Sequence, residues 1–571
     1  MRTVALSVSL PSGYTALWSP EHVASGGLTE VAGLVRELQA GPVPVRWVVW
    51  SAGDLRPLVE AGVRFERLWD CAEAHRLREG SWRAGPQEVW CAVHDLDPEG
   101  APAGPRDDLF DFGERDDTPA APESLTTPGG YLRADAVAGR WQEAVLPHDP
   151  TRLVQWARAA FDVGARQQEA LATRGPTELA TAFSESAASL LCVELERFGL
   201  PIDRATMSDL ITTSAGPRPA SLQAELEHRA ARDATVLRLV PGQERTDLRN
   251  PAQVRELLLA AGIDVPNTRK WTLEAFRDTH PVVPALLAWR ADERIATTYG
   301  WRWLDAHVGA DDRLRGRWSA CDGAAGRMTA ENGLHNLPAA LRPGVAAAPG
   351  HRFVRADLGQ IEPRVLAAVS GDEAFMAATR AQDLYAPVAE RLGVERSVAK
   401  VAVLAAMYGQ RSGTAGEALA GLRRAYPIAM RLLEETAERG SRGESVTTFG
   451  GRAVHTAPRA ERGMQAPPPV AAARGRFARN AIIQGSAAEL FKAWAATIRA
   501  TTADLGAEIV LCLHDEVLVH VPEEAAQECA QRVDQALHDA ARRWLALRGR
   551  DEGVRFVADV SVIGRWSEAK G

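Results

Sequence analysis

Lysine is nearly missing from this chain. Only four of its 66 basic residues are lysine (Lys270, Lys400, Lys492 and Lys570), so positive charge is written almost entirely as arginine. A lysine inside a motif therefore asks for a chemical reason that arginine would not meet. Cysteine is also sparse. Six scattered residues with no CxxC pair exclude a disulfide framework and a cysteine zinc site, and fit reduced thiols in a cytoplasmic protein. No apolar run approaches the ~18 residues of a membrane-crossing helix, so no membrane partner is expected. The N-terminus lacks a sustained apolar core with a cleavage site and does not read as a secretory signal. Excess positive charge is lacking too: 66 basic against 74 acidic residues give −8, which excludes a uniformly basic nucleic-acid binder and leaves room for a local basic groove.

What is present is globular in composition, and 571 residues predict roughly three to five folding units. From residue 1 to about 165, short apolar runs such as Val45-Arg46-Trp47-Val48-Val49-Trp50 alternate with helical stretches, the pattern of a small α/β unit. Residues 97–130, rich in Asp, Pro and Gly (Asp107, Asp108, Asp111, Asp116, Asp117), read as a solvated acidic loop. Residues 180–315 are mostly helical, with turns at Gly199-Leu200-Pro201 and Pro241-Gly242. Beyond about 318 strands and helices mix.

Three motifs in this last region belong together. In Val354-Arg355-Ala356-Asp357-Leu358-Gly359-Gln360-Ile361-Glu362-Pro363-Arg364, an apolar strand runs into a carboxylate and a glycine turn, with Pro363 placed to open a helix. A carboxylate at a strand end suits Mg²⁺ as an oxygen ligand. The stretch from Arg396 to Tyr408 has no glycine or proline and ends at Gly409, a suitable C-cap. Within it Arg396, Lys400, Leu404 and Tyr408 recur every four residues and form one stripe about 18 Å long. Two cations, an apolar residue and an aromatic ring match the polarity of a nucleoside triphosphate. In the third, Ile509 to Val521, two apolar runs flank His514-Asp515-Glu516 and predict a hairpin with an acidic tip.

Asp357 and Asp515, each at a predicted strand end with a cationic helix between them in sequence, are the equipment of two-metal phosphoryl transfer. Lys400 fits that chemistry. A lysine can donate its proton to departing pyrophosphate, which arginine cannot. Arg476, Asn480 and Gln484, spaced i, i+4, i+8, share one helical face suited to reading duplex shape and minor-groove acceptors.

These segments resemble the family A DNA polymerases, the group of bacterial DNA polymerase I. Asp357 to Arg364 is similar to the family's motif A, Arg396 to Gly409 to motif B and His514-Asp515-Glu516 to motif C. Ala325-Gly326-Arg327 with Leu334-His335-Asn336-Leu337-Pro338, Thr448 to Arg452, and Arg476 to Gly485 resemble further family stretches, and residues 187–210 resemble the start of its thumb. The likeness spans about 180–571. It implies an α+β multi-domain fold: a right-hand polymerase of thumb, palm and fingers, preceded by an α/β exonuclease-like (RNase H-like) domain. The expected divisions are 1–175 for that domain, 176–330 for the thumb and start of the palm, and 331–571 for the palm, with fingers inserted at about 365–490.

By the resemblance, Asp357, Asp515, Glu516 and Lys400 are catalytic, and two Mg²⁺ ions are held by Asp357, Asp515 and the Leu358 carbonyl. Arg396, Lys400, Leu404, Tyr408, Gln360, Glu362 and His514 bind the deoxynucleoside triphosphate, with Glu362 crowding the 2′ position to exclude ribonucleotides. Arg327, Asn336, Arg364, Arg476, Asn480 and Gln484 contact primer-template DNA. The implied protein is a monomer in the bacterial cytoplasm, associated with the nucleoid.

The chain also departs from the family. Leu404 stands where the family carries Phe or Tyr, Gly359 replaces a serine, Pro363 a leucine, and Ala340 lies where an arginine is usual. The N-terminal unit departs further: residues 1–30 hold no D-x-E, Trp50 precedes Asp54 where an Asn is expected, and Asp162 falls two places late, with Ala160 at the position of the final Asp. The expectation is therefore a remnant domain without proofreading, with no room for a 5′-nuclease domain ahead of it. The alternatives are a non-catalytic primer-template scaffold or a polymerase that keeps 3′–5′ exonuclease activity. Glu362 argues against a phage-type RNA polymerase, and the missing Y-x-D-D turn argues against a reverse transcriptase.

Overall fold

The computed structural model describes residues 1–102, 123–409, 415–462, 464, 466–550 and 553–569. Most of the expected acidic loop, including all five of its aspartates named above, lies outside the described residues. The chain forms two compact units. One gathers Met1–Phe198, Arg317–Thr329 and Val354–Val562; the other gathers Gly199–Gly316, Ala330–Phe353 and Ile563–Gly571.

The first unit contains two main sheets and two small two-stranded ribbons. Near the N-terminus, β1 (Arg2–Val8), β2 (Thr15–Trp18), β3 (Val23–Gly26), β4 (Val45–Val49) and β5 (Leu68–Asp70) lie in the order β3-β2-β1-β4-β5. β1 pairs antiparallel with β2 and parallel with β4, which pairs parallel with β5. Because side chains alternate along a strand, Val4 and Leu6 enter one core with Trp47 and Val49, while Ala5 and Val48 enter a second core on the opposite face. Burial on both faces explains the near-continuous apolar run of β4. Helix α1 (Cys71–Glu79) follows β5, and α2 (Thr151–Arg174) packs so closely on the sheet that a Cβ at Gly164 would come within 2.8 Å of the Val48 side chain.

The second sheet of this unit holds β6 (His351–Leu358), β7 (Glu508–Leu513), β8 (Glu516–Pro522) and β9 (Ala558–Ile563) in the order β7-β8-β6-β9. Helix α3 (Pro176–Phe198) joins the two halves of the unit. Leu190 and Val193 of α3 enter the N-terminal core, while its Glu185 receives Lys492 and Arg452, each at 2.6 Å, in a fully buried ion cluster. Three more helices matter below: α4 (Ile361–Ser370), α5 (Arg396–Tyr408) and the 34-residue α6 (Pro468–Thr501).

The second unit is mostly helical, as the sequence predicts for 180–315. Its core gathers Val254, Leu257, Leu258, Leu273, Val282, Leu286 and Trp289. Among the described residues no helix is long and apolar enough to cross a membrane.

Candidate active site

The first and third motifs fold next to each other. β6 carries Arg355 and Asp357 on one face, two residues apart, and ends at Leu358. β7 and β8 form the expected hairpin, with Leu513 opposite Glu516 and only His514 and Asp515 between them. A two-residue turn of this kind demands positive φ, and His514 supplies it at +53°. The Leu358 amide then donates to the Asp515 carbonyl at 2.9 Å, joining the end of the first motif to the tip of the third.

Asp357 feels the charge of Asp515. Burial, followed by the charge of Asp515, raises Asp357 to about 6, while the neighbouring Arg355 opposes the shift. Asp515 is also raised, chiefly by burial. Crowding like charges into a partly buried corner disfavours both anions until a cation arrives. The donors on offer, two carboxylates and a strand-end carbonyl at Leu358, are hard oxygens of the kind Mg²⁺ takes, so the residues present fit that ion. Among the described residues no three His, Cys, Asp or Glu side chains converge to hold a metal. A cation at this corner would therefore draw its remaining ligands from the backbone, water or substrate.

Beside the carboxylates opens a cavity of about 210 Å³. Leu358, Gln360, Glu362, Leu404, Gln484, His514, Asp515 and Arg327 line it, together with Tyr385. Eight of the 17 predicted site residues therefore reach one space. Helix α5 spans the predicted residues, with Arg396 and Lys400 exposed, Leu404 and Tyr408 half-buried, and Gly409 closing it at φ +71°. The Tyr408 hydroxyl donates to Glu362 at 2.9 Å, and burial with the Glu362 charge pushes that phenol up to about 12. Burial, then the Arg327 charge, lowers the His514 imidazole. On α6, Arg476 is exposed and Asn480 and Gln484 are half-buried, whereas Ala478, Ala481 and Ile482 face the core, so the i, i+4, i+8 series does share one accessible face. Asn336, in the second unit, is exposed on a short 3₁₀ turn (Leu334–Asn336).

One predicted DNA contact is corrected. Arg364 is fully buried and donates to the carbonyls of Gly359, Thr379, Ala381, Gln382 and Arg555. Two residues along a helix is a rotation of about 200°. Glu362 on the cavity side therefore sends Arg364 into the protein, where it clamps backbone. Glu516 is also buried and held at 2.9 Å by Arg355.

Three participants escaped the sequence reading. Arg355 donates to Glu516, Asp357 and Asp559 from three nitrogens. Asp383 accepts from Gln360 at 2.8 Å and from Arg396, and the Arg396 bond is the main cause that lowers it below the ordinary carboxylate range. Tyr385 lies under the Arg396 guanidinium, 5.8 Å from ring centre to cation. Strand alternation would have placed Arg355 beside Asp357, but nothing local marks Asp383 or Asp559.

The two carboxylates weighed for an exonuclease, Asp54 and Asp162, and the neighbouring Asp70 are differently placed. Asp54 is half-buried and shares a capping box with Ser51 at the start of a 3₁₀ turn. Asp70 caps α1 and accepts from the Ala52 amide at 2.7 Å and the Ser189 hydroxyl at 2.8 Å. Asp162 is exposed on α2, 4.0 Å from Arg158. Thr448 to Arg452 is a buried hub: Thr448 and the Gly450 amide bind Glu489, and Arg452 binds Glu185.

Residues 219–568 match the model of DNA polymerase family A. DNA polymerase I of Chloroflexus aurantiacus is 32% identical over 290 residues, covering 45% of this chain and 30% of that protein. The thermostable DNA polymerase I of Thermus aquaticus is 29% identical over 293 residues, covering 46% and 35%. The chain thus spans about a third of the length of these relatives. The solved POL domain of Pol1 from M. smegmatis, in complex with DNA primer-template and dNTP, superposes with a TM-score of 0.66 at 19% identity, over 99% of this chain and 95% of that one.

Proposed function

This chain belongs to DNA polymerase family A, and from that premise we propose that it is a template-directed DNA polymerase that extends a primer 3′ end with deoxynucleotides. The observation that carries the reading is the meeting of Asp357 and Asp515 beside a cavity that Leu404, Glu362 and Gln484 also line.

In this reading Asp357, Asp515 and the Leu358 carbonyl hold the Mg²⁺ ions, which supply charge neutralisation at the reacting phosphate when bound. Arg396 and Lys400, exposed on successive turns of α5, grip the triphosphate. Lys400 also donates a proton to the leaving pyrophosphate. The Glu362–Tyr408 hydrogen bond fixes a wall against the sugar 2′ position, and Leu404 gives that wall an aliphatic surface. Gln360 and His514 line the nucleotide space, and Glu516 acts from behind Asp515. Arg327, Asn336, Arg476, Asn480 and Gln484 touch primer-template backbone and minor groove without sequence choice. Arg396 must loosen its hold on Asp383 to do its part.

The divisions at 1–175, 176–330 and 331–571, the monomeric state and a nucleoid-associated cytoplasmic location belong to the same proposal. So does an exonuclease-like N-terminal domain without proofreading: its strands lie in the order β3-β2-β1-β4-β5, Asp54 and Asp70 are bound to backbone amides and Asp162 faces solvent.

The test is primer extension on a defined template with Mg²⁺, native protein against Asp515→Ala. Extension by the native chain alone supports the proposal, and no extension by either leaves a non-catalytic scaffold. Degradation of a single-stranded 3′ end that is lost in Asp54→Ala but kept in Asp515→Ala would restore the proofreading alternative.

A further inference from the structure

The guanidinium of Arg355 is nine-tenths buried and reaches three neighbouring strands at once. Nε donates to Glu516 of β8 at 2.9 Å, Nη2 to Asp357 of its own strand at 2.8 Å, and Nη1 to Asp559 of β9 at 3.1 Å. With Asp515 adjacent, four carboxylates crowd this sheet edge around one fixed cation. Arginine suits the place, since its planar fork holds several donors at set angles and never gives up its charge.

We propose that Arg355 is a positioning residue: a resident counter-ion that holds Asp357 and Glu516 in place before a divalent cation arrives and competes with that cation for Asp357. This rests on the proposed role of Asp357 as a metal ligand. The Asp357 oxygen that Arg355 holds, Oδ2, is one of only two on that carboxylate, so a dication drawing on both must share that oxygen with the fork or displace its arm. Two consequences follow. The acidic corner holds together without metal, because part of its charge is already opposed. Metal binding is weaker than the bare carboxylates would give, so the cation concentration the site needs is set by a residue that never touches the cation.

The test reads metal affinity directly, apart from turnover. Mn²⁺ binding to the full-length chain, without DNA or nucleotide, is followed by the electron paramagnetic resonance of free Mn²⁺ for native protein, Arg355→Gln, Arg355→Lys and Asp357→Ala. Glutamine keeps a hydrogen-bonding amide on a shorter stem and removes the charge. It should tighten Mn²⁺ binding about tenfold, since a unit charge a few ångströms from a dication matters even at high effective dielectric. Lysine, a point charge that cannot bridge three strands, should fall between native and Arg355→Gln, and it decides the matter alone if the glutamine variant does not fold. Loss of a purely structural tie would let the carboxylates spread and weaken binding, so unchanged or weaker affinity in the folded variants overturns the proposal. Asp357→Ala separates the two layers: if it binds Mn²⁺ as the native chain does, the metal-site reading itself has failed.

Discussion

Asp70 and Asp357 each lie at the end of a buried strand within the same unit, yet their surroundings differ. Asp70 is closed off, its oxygens taken by two backbone amides and a serine hydroxyl. Asp357 is a third exposed, faces a second carboxylate across the hairpin tip, and has an arginine as its partner. The first carboxylate completes a local hydrogen-bond account and has no capacity left for a ligand. The second keeps a like-charge repulsion that its arginine offsets only in part, which leaves it open to a further cation. Burial of an acid is thus not itself a sign of chemistry; what matters is whether its oxygens are already spent.

The sharpest way to break this contrast is to exchange the two outcomes. Asp357→Asn should lower primer extension at least ~1000-fold, about 4 kcal/mol in barrier, while the melting temperature moves little. Asp70→Ala should instead lose about 2–4 kcal/mol of stability from an absent cap and stranded buried amides, with the folded fraction still extending primer. Denaturant melts paired with extension rates check both, and a stable but inactive Asp70→Ala would erase the distinction.

Next in size is Arg364→Ala. With five carbonyl acceptors abandoned in the interior, a loss of about 3 kcal/mol or more is expected by urea unfolding. A variant of native stability that binds primer-template more weakly would put Arg364 back on the DNA surface.

A smaller effect should appear with pH at Asp54. Burial raises its folded pKa to about 7, so the folded protein keeps a proton that the unfolded chain has released above about 4. Stability is therefore full below the unfolded pKa and falls as pH rises towards 7. Asp54→Asn escapes that loss, and its stability relative to native should climb by about 2 kcal/mol between pH 5 and pH 8. A constant difference across that range would mean Asp54 is ionised in the fold. The smallest expected change is at Asp162→Asn, exposed and distantly paired, which should stay within ~0.5 kcal/mol of native.

Much of this was legible in the chain. A strand leading to Asp357, a glycine-closed helix bearing Arg396 to Tyr408 and a hairpin tipped by His514-Asp515 follow from periodicity and turn chemistry, which are local. What stayed hidden is what strands from distant sequence bring together. Arg355 reads as an ordinary strand arginine until Glu516 and Asp559 arrive on either side of it. Asp383 carries no pattern of its own until Gln360 and Arg396 converge on it. Arg364 was misread because a basic residue close to a DNA-handling motif invites a DNA contact, whereas the helical rotation from Glu362 turns it inward.

The amide of Leu358 meets the carbonyl of Asp515 through main chain alone. Because that tether owes nothing to either side chain, both aspartates can in principle be exchanged for imidazoles or thiols while their points of attachment stay joined. The junction is thus a ready-made jig for installing a softer metal, or a covalent staple, where the acids now stand.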